Sequence, residues 1–147
     1  MNLVQLLFPG SRQQRDRQIA AAIASATPGQ VVICGHYPNS YARSASVTQR
    51  DLIMDVEIQG RRVGVVNDSD SVLVVSFGGG PLVLRLVSFL THEVTLEFSF
   101  PSQPEAIYVA EYWPRRAGFP AGKDDGSYLC SVIVGDERLV LGSGELA

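Results

Sequence analysis

A mainly β fold is predicted: one domain over residues 1–147, an antiparallel β-sandwich or barrel of about nine short strands with a single N-terminal α-helix. Three observations predict it. Residues 93–100 alternate strictly, with Val94, Leu96, Phe98 and Phe100 on one side and Glu93, Thr95, Glu97 and Ser99 on the other, which is the period of a strand with one wet face. The same alternation recurs at Leu52, Met54, Val56 and Ile58 and at Leu82, Leu84 and Leu86. Turn signals separate these runs, among them Gln59-Gly60-Arg61, Asn67-Asp68-Ser69-Asp70, Gly78-Gly79-Gly80-Pro81 and Gly135-Asp136. A domain of 147 residues buries roughly 70% of its unfolded surface and folds without disulfide or metal staples.

The helix is expected over about residues 11–27. Ser11 and Gln14 have the spacing of a capping box, Ile19 and Ile23 share one face, and Thr27-Pro28-Gly29 stops the hydrogen-bond ladder. Its apolar stripe is narrow and alanine-rich, which suits an edge or interface position. Arg12, Arg15 and Arg17 in the first turns oppose the helix dipole at about 0.3–1 kcal/mol each, relieved in part by Asp16, so an acidic partner surface is a reading for them. The sheet is expected over about 30–142, with strands at about 30–35, 50–59, 62–66, 71–77, 82–90, 93–100, 105–113, 127–134 and 138–142. Consecutive strands are expected to pair as a meander. Two segments, 36–48 and 114–126, are too long for hairpins, and connections of that length commonly carry function.

Charge and hydropathy remove several classes of function. A net charge of −3 and a pI near 5.3 supply no positive field for a phosphate backbone, so nucleic acid is not an expected partner. No window approaches the roughly 20 apolar residues of a membrane span. The apolar stretch from Met1 to Phe8 has no basic region before it and runs into Pro9-Gly10, so it does not read as a signal peptide, and synthesis in a cytoplasm is expected. Cys34 and Cys130 lie in apolar runs and are expected to be buried, reduced and quiet.

No catalytic, cofactor or metal site is expected. Cys34 and His36 fall on one side of an extended chain, the arrangement of a nucleophile with its base or of half a zinc site, but Cys130 and His92 would have to join them from distant strands. His92 reads as a hairpin-turn residue. The acidic loops at 67–70 and 123–126 are incomplete as calcium sites, and Gly78-Gly79-Gly80 precedes a strand where a phosphate loop needs a helix. Glu93, Glu97 and Glu111 could supply paired carboxylates for glycoside chemistry if their strands were neighbours.

What remains is a non-enzymatic structural or assembly subunit, of the kind that builds a virion, a phage head or tail, or an appendage, as a homo-oligomer or within a larger complex. Tyr112, Trp113, Arg115, Arg116 and Phe119 combine the side chains that dominate binding hot spots, so the segment 112–120 is expected to pack against another protein chain, with Arg12, Arg15 and Arg17 as a second contact. The alternative is a carbohydrate-binding sandwich that displays Tyr37, Tyr41, Tyr112 and Trp113 to a sugar ring. A small enzyme using Cys34 and His36 is the third reading.

Overall fold

The computed structural model of the chain describes residues 12–36, 53–67, 71–77, 82–88, 92, 94–100, 103–113 and 127–145. These form α1 (Arg12–Ser25), β1 (Gln30–Gly35), β2 (Met54–Ile58), β3 (Arg61–Val66), β4 (Val72–Ser76), β5 (Leu82–Ser88), β6 (Val94–Phe100), β7 (Ile107–Trp113), β8 (Ser127–Val134) and β9 (Glu137–Glu145). One sheet has the order β4-β1-β7-β8-β9 and the other β3-β2-β5-β6. Of the two closures that the sequence allows, the chain adopts the sandwich.

The alternating runs behave as their period demands. Met54, Val56, Ile58, Leu82, Leu84, Leu86 and Leu96 all point into the space between the sheets, where Val31, Ile33, Tyr108, Ala110, Tyr112 and Cys130 meet them from the opposite sheet. Between them runs a cross-strand row of charges: Arg85 lies opposite Glu57 and Glu97, hydrogen-bonds Glu57 at 3.0 Å and forms an ion pair with Glu97 at 3.2 Å, while Arg62 bonds Asp55 at 2.9 Å. Exposed pairs of this kind contribute well under about 1 kcal/mol each, so the buried face carries the stability.

The helix packs Ile19, Ala22, Ile23 and Ala26 onto Val32, Cys34 and Val109, on the outer face of the five-stranded sheet. The molecule therefore has three layers. Its exit is anchored where the sequence signals a stop: the Gly29 N–H donates to Ala106 O at 2.9 Å, and the Phe77 N–H donates to Gly29 O at 3.0 Å. Ser11 and Leu52 fall outside the described residues.

The meander expectation needs correction. Hairpin neighbours do pair in β2-β3, β5-β6, β7-β8 and β8-β9, but β1 pairs with β4 on one side and, in parallel, with β7 on the other. The reason is visible in the side chains. From Val31 to Gly35 and from Tyr108 to Tyr112 every residue is buried, so β1 and β7 need cover on both faces. Only the interior of the sheet, between the helix and the opposite sheet, offers it.

Val94 also departs from expectation. Leu86 pairs with Leu96 and Val87 with Val94, so β6 carries one extra residue at this point, a bulge that breaks the alternation and leaves Val94 42% exposed. Phe98 is half-buried, and its ring covers Gly142 on β9 of the other sheet. A Cβ added to Gly142 would lie 2.6 Å from Phe98 Cε2 and 2.9 Å from Cζ. Gly64 on β3 accepts Leu73 of β4 in the same way, at 2.8 Å. Thus at both sides of the sandwich a glycine of one sheet lets a large side chain of the other come close. Gly142→Ala is expected to cost about 1–3 kcal/mol by overpacking. In a Phe98→Ala background the cost should fall by at least about 0.5 kcal/mol, and strict additivity in a urea-denaturation cycle would refute the contact.

Candidate functional site

The parallel pairing of β1 with β7 sets Gly35 opposite Tyr112, so the chain leaves both strands side by side at their C-terminal ends. His36 and Trp113 are the residues at those exits. The His36 N–H donates to Tyr112 O at 2.8 Å, and the two rings stack with centroids 4.4 Å apart and planes 8° from parallel. Both long segments singled out in the sequence begin here.

Beneath the stack, on the helix side of the sheet, sits Glu111, which is 8% exposed. It is the one charged residue in the run Ile107–Trp113, and a carboxylate in so apolar a strand requires partners. It has them. His36 Nε2 lies 3.2 Å from Glu111 Oε1, a carboxylate oxygen that can only accept, and Arg138 Nη2 donates to Oε2 at 2.9 Å. Arg138 reaches across from β9, two strands away, and its Nε also donates to the buried Ser131 Oγ at 2.9 Å. Burial alone would raise the Glu111 carboxyl, but the His36 hydrogen bond and the Arg138 charge outweigh it and hold the group below its ordinary value.

A histidine oriented by a carboxylate is the geometry of a general base, and it needs a nucleophile within reach. Cys34 lies opposite Glu111 in the strand register but is fully buried. Burial first, and the Glu111 charge second, push its thiol far up, which disfavours the thiolate. Cys130 sits on the other face of the sheet, in the core, where burial pushes its thiol up to about 12. His92 takes the positive φ of 59° in the connection from β5 to β6, its N–H bonded to Ser88 O at 2.8 Å, in agreement with a turn role. Among the described residues no group of three His, Cys, Asp or Glu side chains is disposed to hold a metal. Glu97 belongs to the four-stranded sheet and Glu111 to the five-stranded one, so they do not form a carboxylate pair; Glu93 lies outside the described residues. What the arrangement does is clamp β1, β7, β8 and β9 together at the root of two long segments.

The residues expected to meet partners are distributed unevenly. Tyr112 is 1% exposed and belongs to the core, and Arg15 is 2% exposed, so neither offers surface to a partner. Arg17 is exposed and Trp113 half-buried. Arg12 is part of the helix backbone, while Arg115, Arg116, Phe119, Tyr37 and Tyr41 lie outside the described residues. Sequence reasoning missed Ser131 and Arg138 altogether, and no local signal marks them, because the carboxylate that Arg138 bonds is 27 residues away in the chain and Ser131 joins only through Arg138. Comparison with family models, curated proteins and solved structures returned no match to this chain.

Proposed function

We propose that this chain is a non-enzymatic structural subunit that assembles with other protein chains. The observation that carries the reading is where its exposed large apolar side chains lie. Of five among the described residues, Val134, Leu139 and Val140 share the β8-β9 hairpin, and Leu139 and Val140 are 58% and 62% exposed. They stand on consecutive positions of an edge strand, so apolar surface is offered on both faces of the sheet at one place. A subunit that buries this hairpin against a neighbour removes an aggregation liability and gains the transfer free energy of both side chains. The few charges of the chain favour the same conclusion. Arg17 and the segment bearing Arg115, Arg116 and Phe119 are the proposed second contact, and a virion, phage or appendage component is the finer form of this reading. The carbohydrate alternative draws no support from Tyr112, whose ring is inside, or from Trp113, which gives one face to His36.

Replacing Leu139 and Val140 together by serine should weaken association by at least about 2 kcal/mol, some thirty-fold, while circular dichroism stays unchanged. Light scattering on the eluting protein reads the mass. A parent chain that is monomeric at tens of micromolar, or a double variant that associates as tightly as the parent, defeats the reading.

A further inference from the structure

The described sandwich has four edge strands, and three of them are protected. β3 carries Arg61 and Arg62 and a bulge opposite Val56 and Glu57; β6 carries Glu97 and the bulge below Val94; β9 carries Glu137, Arg138 and a bulge opposite Cys130 and Ser131. Charges and bulges are the usual means by which an edge resists pairing with another chain. β4 has neither. Its five residues, Val72-Leu-Val-Val-Ser76, pair with β1 in unbroken register and include no charge, proline or glycine. No hydrogen bond of the described residues reaches its outer edge, and Val74 at its centre is 42% exposed.

We infer that β4 pairs antiparallel with β4 of a second copy of this chain, about a twofold axis at Val74, to make one continuous sheet of ten strands. The inference rests on the assembly reading and names its partner. Self-pairing about Val74 sets Val72 against Ser76 and Leu73 against Val75, so each residue meets one from the same face and no charges are opposed. The same operation on β9 would set Glu137 against Glu145 and draw the bulge into the joint. A twofold contact also closes on itself, whereas joining β4 to β9 of the next copy would run on as a fibre.

The test uses the full chain with Val74→Cys under mild oxidation, since directly opposed strand residues have Cα atoms about 4.5–5.5 Å apart, inside the disulfide range. Cys34 and Cys130 are fully buried and do not compete. The expected result is a reducible covalent dimer; because β4 and β9 lie on opposite edges of the sheet, this joint is separate from the hairpin contact and should form equally well when Leu139 and Val140 are serine, a change that weakens only the further association of dimers. Val74→Lys should halve the mass of the dimeric species. If the parent is oligomeric but the Val74→Cys chain keeps its free thiol, β4 pairing is overturned and the assembly reading stands; a monomeric parent overturns both. As a measurement independent of variant folding, amide exchange of Val72–Ser76 in the parent should slow as concentration rises, and rates independent of concentration count against the pairing. Protection of β4 only by a different protein's extended segment would likewise overturn it.

Discussion

Leu84→Ala is expected to lower the unfolding free energy by about 3–5 kcal/mol, while Val94→Ala costs under about 1 kcal/mol, although the two residues sit in equally regular alternating runs. Leu84 is fully buried on β5, opposite Ile58 on one neighbour and Phe98 on the other, with side chains of the facing sheet above it. Removing it leaves a cavity that cannot collapse without moving three strands. Val94 has been turned toward solvent by the bulge in β6. Urea denaturation of both variants reads the difference. Equal costs, or a loss below about 1 kcal/mol at Leu84, would show that the inner face has been misassigned.

The second large effect is expected at Glu111. Glu111→Gln keeps the shape of the side chain but removes the charge that both His36 and Arg138 bond, at about 2–3 kcal/mol at neutral pH, at the lower end because Arg138 is 39% exposed and regains water. The dependence on pH follows from the direction of the shift. The folded carboxyl titrates below its ordinary value of 4.5, so its contribution is fully present above that value and is lost as pH falls through the folded value. The stability gap between parent and variant should therefore be wide at pH 7 and narrow toward pH 3. A gap of constant width across that range would show that the carboxylate charge is not its source.

Arg138 and Ser131 illustrate why only part of the site was legible in advance. Glu111 stands out in Ile107–Trp113 as a lone carboxylate among apolar residues, and that anomaly demands a partner without saying which. Any of the ten other arginines of the chain would have served equally well on paper. Arg138 is selected because β9 follows β8 in the sheet and its residue opposite Ile133 faces the helix side, a matter of strand order and register. Tyr112 shows the converse. Beside Trp113 it reads as an interface pair, but successive residues of a strand face opposite ways, and the inward one is lost to the core.

The period-two runs by themselves determined that β2, β5 and β6 have one dry face and which residues line it, and the stop at Thr27-Pro28-Gly29 determined where helix gives way to sheet. Turn chemistry determined the β2-β3 and β8-β9 hairpins, with Gly60 and Gly135 at positive φ of 77° and 62°, whereas the segments 67–70 and 78–81, read as hairpins too, connect strands of different sheets. Neighbours were another matter. Backbone donors and acceptors are the same on every strand, so alternation states which side of a strand is dry and is silent on what lies beside it. The parallel meeting of β1 with β7, the three bulges, and with them the gathering of His36, Glu111 and Arg138 were decided only in three dimensions, where β1 and β7 had to be covered on both faces at once and a single arrangement of helix and sheets could cover them.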